Sequence, residues 1–263
     1  MKIGIVIPAK NEEKRIGKML QAYAIYYQKK DKIDKNKYEL LVVINNTKDS
    51  TEKIVLSYKK KFKNISYITL NLGGKGYGVI QGFKYFIKKN YDLVGFVDAD
   101  LSTSPEDFND LILYIGNNSG IIGNRWSSKS TITKKQSLIR RFASRIFNLI
   151  VKLLFFMNYQ DTQCGAKLFK VKDIAKVVPN VFITQWAFDV NILYLCKKYN
   201  LKISEFPTVW EDQDFSGVDT IRTSLKMFSG IVRLRLIHSP FSFIIRAYDT
   251  LPNILKLNHT LIK

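Results

Sequence analysis

The chain has 263 residues, 46% of them hydrophobic and 24% charged, which supplies a sizeable core for one large α/β domain, alone or with an extension. Its 42 Lys and Arg against 22 Asp and Glu leave a net charge of +20, which favours a polyanionic partner, either nucleic acid or an anionic membrane leaflet. Two cysteines, Cys164 and Cys196, exclude a disulfide framework and a four-ligand zinc site, and no stretch approaches the ~20 apolar residues that span a bilayer.

Ile3–Ile7 reads as a buried parallel strand ended by Pro8, and Asn11-Glu12-Glu13 supplies a cap and acidic first turn for a helix from Asn11 to Gln28. The opening run is too short for a signal-peptide core. Lys29–Lys37 is a charged surface loop, and it and Lys59–Lys63 also fit a simply solvated lysine-rich face. Tyr38–Ile44 is a second strand ending at Asn45-Asn46-Thr47. A helix capped by Asp49-Ser50-Thr51 follows, and then a third strand at Ile65–Leu70.

Asn71-Leu72-Gly73-Gly74-Lys75-Gly76-Tyr77-Gly78 opens the next helix. Four glycines at a helix N-terminus let backbone amides approach an anion, and Lys75 favours phosphate, although a plain flexible turn fits the same residues. The spacing is neither that of a Walker A loop nor that of the dinucleotide fingerprint. Leu93–Val97 then leads into Asp98-Ala99-Asp100. Two carboxylates at a strand end can reach one hard cation and its bound phosphates, but an acidic pair also starts many ordinary loops. A helix at Pro105–Tyr114 and a short strand at Ile121–Gly123 end on Asn124-Arg125-Trp126. Strands alternating with helices predict a doubly wound, mostly parallel sheet with every polar cluster on one edge.

The second half is helical and basic. Along Leu138–Met157, Arg141, Arg145, Asn148 and Lys152 fall at helical spacing, with Phe142, Ile146, Ile150 and Leu153 on the other side. Asp219–His238 repeats the pattern, with Arg222, Lys226 and Arg233 opposite Ile221, Leu225, Phe228 and Val232. Basic amphipathic helices suit a membrane interface, and an apolar stripe also suits the protein's own core. The tail from Pro240 to Lys263 reads as a surface-lying segment.

These motifs together resemble the inverting glycosyltransferases of family 2, which have a GT-A fold. The resemblance is narrower towards polyprenyl- and dolichyl-phosphate sugar synthases of the glucosyl type. It covers residues 2–235. Its carriers are Ile5–Glu13, Asn71–Gly76, Phe96–Asp100, Gly123-Asn124-Arg125 and Arg140–Ser144, with the run Asp161-Thr162-Gln163-Cys164-Gly165 and Trp186-Ala187-Phe188-Asp189 as the most specific. It implies a GT-A domain at 1–212, with an interfacial helix at about 136–157, and a basic amphipathic membrane-associating segment at 213–263.

By the resemblance, Pro8, Ala9, Lys10, Glu12, Asn45, Lys75, Asp98 and Ala99 line the nucleotide-sugar pocket, and Asp98 and Asp100 hold Mg²⁺ or Mn²⁺. Arg125 and Arg141 match arginines that face an acceptor phosphate, and Asp189 matches the acidic residue that other members use as a base. The expected donor is UDP-glucose, with GDP-mannose and UDP-N-acetylglucosamine as alternatives. The expected acceptor is dolichyl or polyprenyl phosphate at the cytoplasmic face of the cell or endoplasmic reticulum membrane, with the protein bound peripherally to an anionic surface.

The chain departs from the family's pattern at several points, among them Asn191 in place of an acid often seen shortly after the Phe-Asp pair. Ile44-Asn45-Asn46-Thr47 stands for the usual Asp-Asp-Gly-Ser turn, and Ser102 stands where mannosyl-type synthases carry a metal-binding Gln. A non-catalytic membrane scaffold is the reading from a different class. Nucleic acid is not expected, because no basic stripe is interleaved with exposed aromatics.

Overall fold

The protein is described from a computed structural model at residues 1–134, 138–182, 187–211 and 220–245. The expected boundary between 212 and 213, Trp186 and the tail beyond 245 lie outside the described residues, as do the side chains of Ile221, Arg222, Leu225 and Lys226.

In chain order the elements are β1 (Lys2–Ala9), α1 (Ile16–Asp34), β2 (Lys37–Asn45), α2 (Thr51–Lys61), β3 (Ile65–Leu70), α3 (Lys75–Lys88), β4 (Leu93–Phe96) and α4 (Pro105–Tyr114). They continue with β5 (Gly120–Asn124), β6 (Thr131–Lys134), α5 (Leu138–Phe155), β7 (Lys167–Lys170), α6 (Val171–Val177), α7 (Phe188–Lys198), β8 (Ile203–Pro207), β9 (Val209–Glu211) and α8 (Thr220–Ile237). Seven strands form one sheet in the order β3-β2-β1-β4-β7-β5-β8. All neighbours run parallel except β7, which lies antiparallel between β4 and β5. The expected α/β sheet flanked by helices is therefore present. β6 and β9 make a separate parallel pair.

Both faces of the sheet are buried, as continuous apolar strands require. Ile3, Ile5 and Ile7 of β1 point into one core with Tyr23 and Tyr27 of α1, while Val6 points into the other with Phe83 and Phe86 of α3. The chain goes outward from β1 to β3 and then returns to β4 on the other side of β1, which places the topological switch point between β1 and β4. In open α/β sheets ligands bind at the carboxyl ends of the strands beside that point. Lys10 and Asp98 follow those two strands.

Three expectations need correction. First, α1 begins at Ile16, not Asn11. Asn11 takes a left-handed φ of 55°, and its Oδ1 accepts hydrogen bonds from Lys48 N and Thr47 Oγ1 at 2.9 and 3.1 Å, so it ties β1 to β2. The helix then runs on through most of the lysine-rich stretch assigned to a loop, because Tyr23 and Tyr27 anchor its inner face.

Second, Gly76 and Gly78 of the glycine run serve packing, as does Gly82 beyond it. A Cβ on Gly76, Gly78 or Gly82 would lie 2.5, 2.4 and 2.5 Å from Phe188, Asn45 and Val6, so these residues let α3 press onto its neighbours. Gly74, at φ 136°, is the one that turns the backbone into the helix.

Third, α5 is apolar on two sides. Phe147, Val151 and Phe155 are buried, whereas Phe142, Leu149 and Leu153 point out at 57–69% exposure. In α8, Ile231 and Leu234 face inward, Phe228 and Val232 face outward, and Arg233 is buried instead of lying on an exposed basic side.

Candidate active site

Asp98 sits just past β4 with its Oδ1 2.6 Å from Lys75 Nζ, the first residue of α3. Both side chains keep about a third of their surface open to the crevice, so the pair lies deep but is not sealed. Burial raises the Asp98 pKa above the usual carboxylate value; Lys75 opposes this, and Asp100 and Asp189 reinforce it. For Lys75, burial opposes the charge, yet Asp98, Asp189 and Asp100 outweigh it and raise its pKa. Asp100 and Asp189 thus act on both members of the pair, adding to what burial does at Asp98 and outweighing it at Lys75.

Glu12 is a further acid beside them. Burial raises its pKa, Arg15 opposes through a two-pronged contact at 2.7 and 2.8 Å, and Asp100 and Asp98 push it up again. Arg15 also reaches to 4.0 Å from Asp100 Oδ2, so it bridges the β1 and β4 loops. Sequence reading did not single out Arg15, which lies just beyond the Asn-Glu-Glu run. Asp100 Oδ1 accepts from the backbone N of Ser102 at 3.0 Å, and Ser102 itself is buried.

Pro8 and Ala9 close the end of β1, and Lys10 is exposed with its Nζ beside Gly73. Ala99 is buried behind the acidic pair. Asn45 is buried at the end of β2, donating from Nδ2 to Gly74 O at 3.3 Å, while its Oδ1 has no hydrogen-bond partner among the described residues. An orphaned acceptor here is an opening for a ligand N–H.

The other wall is built around Arg125. Its Nε and Nη2 grip Asp161 at 2.7 and 2.9 Å, and its guanidinium lies over the Trp210 ring at 5.2 Å. Next to it, Trp126 lies under the guanidinium of Arg145 of α5, 4.5 Å from the ring centroid. Arg141 is half-buried one turn earlier. Among the described side chains, Arg145 is the α5 arginine shown against the β5 loop, which helical spacing alone could not distinguish from Arg141. Asn148 ties α5 to the segment that leads into β7, donating to Tyr159 O and Gln160 O and accepting from Thr162 Oγ1.

Asp189 stands in the first turn of α7 and is nearly buried. Its Oδ1 lies 2.6 Å from Nζ of Lys167, a lysine with no exposed surface. Gly165 brings the 161–166 loop against Asp98, since a Cβ there would lie 2.0 Å from Asp98 Oδ2. Sequence reading singled out Asp98, Asp189 and Arg125 but not the residues they meet, Gly165, Lys167 and Asp161. Those partners lie inside a run that was read only as a family marker.

A divalent cation fits this donor set. The two carboxylates are hard oxygen ligands in a site with unbalanced negative charge. Among the described residues no group of three His, Cys, Asp or Glu side chains is placed to hold a metal, so Asp98 and Asp100 would share the ion with substrate phosphates, as Mg²⁺ sites commonly do.

Comparison with known proteins is consistent with this geometry. The family described as Glycosyl transferase family 2 matches residues 4–178. A Dictyostelium discoideum protein named dolichyl-phosphate beta-glucosyltransferase is 35% identical over 243 residues, covering 89% of this chain and 73% of its own. A Homo sapiens protein of the same name is 27% identical, covering 89% and 75%. Among solved structures, glucosyl-3-phosphoglycerate synthase from Mycobacterium tuberculosis, crystallised with Mn²⁺, UDP and glucosyl-3-phosphoglycerate, superposes with a TM-score of 0.65 at 13% identity over 89% of this chain and 79% of that one. S. aureus TarS 1-349 in complex with UDP-GlcNAc gives 0.59 at 16% identity, covering 91% and 68%. At such identities the structural matches establish the GT-A fold and nothing more.

Proposed function

The chain belongs to glycosyl transferase family 2, and we propose that it moves glucose from UDP-glucose to dolichyl phosphate or a related polyprenyl phosphate, inverting the anomeric carbon. The observation that carries the reading is the Asp98–Lys75 contact beside the switch point, where two acids and a helix-borne ammonium converge. The names of the relatives supply the sugar and the lipid.

Breaking the bond between glucose and the diphosphate develops charge on the leaving oxygens. Lys75, at the positive end of α3, is placed to meet that charge. Mg²⁺ or Mn²⁺ held by Asp98 and Asp100 would supply Lewis-acid neutralisation of the same oxygens. Lys10 and Glu12 close the nucleotide pocket at β1, and the free Oδ1 of Asn45 accepts from the base or ribose.

A lipid phosphate monoester has a second pKa near 6 and is largely dianionic at neutral pH, so it attacks without a strong base. Arg125, held in place by Asp161, and the arginines of α5 orient it. Attack from the face opposite the diphosphate gives a β-linked product.

The acceptor's hydrocarbon requires a membrane, and none of the described helices is long and apolar enough to cross one. The outward apolar residues of α5 and α8, flanked by Arg145 and Lys152, support a peripheral position on an anionic cytoplasmic leaflet. We assign residues 1–212 to the catalytic domain and 213–263 to membrane association.

The test is transfer of radiolabelled sugar into an organic-extractable lipid, with a thermal-shift panel of UDP- and GDP-sugars to identify the donor. Absence of lipid-linked product with every donor, or transfer unchanged by Asp98→Ala with Asp100→Ala, would sink the reading.

A further inference from the structure

Lys167 opens β7, the one antiparallel strand of the sheet, and its side chain has no exposed surface. An ammonium offers three donors and no acceptor, so burying it demands partners. It has two strong ones, Cys164 O and Asp189 Oδ1, each at 2.6 Å, and it lies over the Phe96 ring at 5.3 Å. A buried ion pair is weak grounds for stability, since apolar residues of similar volume often serve as well or better. The arrangement has a location that stability alone does not explain.

The two partners belong to different segments beside the acidic pair. Cys164 precedes Gly165, whose backbone seats Asp98 Oδ2. Asp189 follows Phe188, which packs on Gly76 of α3 and on Phe96. Lys75 Nζ is 5.5 Å from the centroid of the same Phe96 ring, so two lysine–aspartate pairs stand around one aromatic side chain. A single ammonium therefore connects the loop that seats the donor-side carboxylate to the carboxylate at the start of α7.

We propose that Lys167 is a positioning residue for sugar transfer: its bond to Asp189 fixes that carboxylate in the crevice as an oriented hydrogen-bond acceptor for the reacting sugar or acceptor. This inference rests on the function proposed above. Asp189 touches substrate and Lys167 does not. Misplacing an orienting group by about 1 Å can cost ~100-fold in rate, and Lys167→Met removes the ammonium that holds Asp189 Oδ1 at 2.6 Å.

The experiment is a double-mutant cycle on the full chain, with Lys167→Met, Asp189→Asn and the pair combined, read as Tm and as kcat and donor KM for transfer to lipid phosphate. Lys167→Met should lower kcat by roughly 100-fold with donor KM changed less than about threefold, and should lower Tm because Asp189 is left buried and unpaired. The combined variant should regain most of the lost Tm while its kcat stays at the Asp189→Asn level. Recovery of kcat together with Tm in the combined variant would make the pair structural only and overturn the proposal. Wild-type kcat in folded Lys167→Met would overturn it too. Should Lys167→Met fail to fold, the combined variant still decides. An unaltered chain that makes no lipid-linked sugar with any donor overturns the proposed function, and this inference with it, whereas an active wild type isolates the failure to Lys167.

Discussion

Arg125 and Asp161 form a two-pronged ion pair at 2.7 and 2.9 Å that is nearly closed to solvent, with side-chain exposures of 13% and 2%. A third bond from the Arg125 backbone N reaches Asp161 Oδ2 at 3.0 Å. Burial raises the Asp161 pKa, but Arg125 outweighs it and holds the carboxyl below its ordinary value. Removing one partner of such a pair leaves a buried charge uncompensated, so Asp161→Asn should cost about 3 kcal/mol of unfolding free energy in urea. The sign with pH follows from the lowered pKa. The pair's contribution is fully present above the unfolded carboxylate value near ~3.9 and is lost as pH falls through the lower folded value. The stability gap between wild type and Asp161→Asn should therefore be constant from pH 7 to 5 and close below about pH 4. A gap that persists unchanged at pH 2 would refute the assignment.

The negative excess around Lys75 gives a second expectation. A ligand at 100 times its Kd adds ~2.7 kcal/mol to stability, or roughly 5–10 °C in a protein of this size. Mn²⁺ and UDP together should produce a shift of that order, exceeding the sum of each alone, because cation and diphosphate neutralise each other's charge. Asp100→Asn should abolish the metal-dependent part and leave a smaller nucleotide shift. A full metal-dependent shift in Asp98→Ala with Asp100→Ala would place the ion elsewhere.

The sheet was legible because both faces of its strands are apolar and polar residues stop each one abruptly, as at Val97-Asp98 and Ile44-Asn45. What the sequence concealed depends on contacts between distant segments. Asp161 meets Arg125 across 36 positions, and Lys167 meets Asp189 across 22, which no local pattern encodes. Gly76 and Gly78 look like part of a phosphate cradle in sequence, and only the packed fold reveals Phe188 and Asn45 pressed against them. The edges of β7 gave no periodic signal either, since a four-residue strand is shorter than any useful window.

Gly165 makes a sharper demand than any other glycine near the acidic pair. A Cβ there would stand 2.0 Å from Asp98 Oδ2, far inside contact distance, and the loop's ties to Arg125 through Asp161 and to Lys167 through Cys164 O limit its retreat. Gly165→Ala should therefore displace the Asp98 carboxylate, lowering kcat/KM for sugar transfer by about 100-fold. Its Tm should fall far less than that of Asp161→Asn. Wild-type kcat/KM in this variant would show that Asp98 can move without loss, and that its position is not critical.

The outward side of α5 leads to the last prediction. Phe142, Leu149 and Leu153 are 69, 57 and 66% exposed, so they contribute little to the folded core. Burying most of a Leu or Phe side chain contributes about 1.5–3 kcal/mol, and three such residues on one helix face suffice for reversible attachment to a bilayer. Phe142→Ser, Leu149→Ser and Leu153→Ser combined should abolish flotation with anionic liposomes while shifting Tm by less than about 2 °C. Wild-type flotation should weaken as salt rises, because Arg145 and Lys152 beside the apolar stripe act through a screened field. Transfer to a short, water-soluble polyprenyl phosphate should survive in the triple variant, and transfer to a long-chain acceptor in vesicles should fall. Equal loss with both acceptors would mean that α5 acts on the chemistry and not on docking.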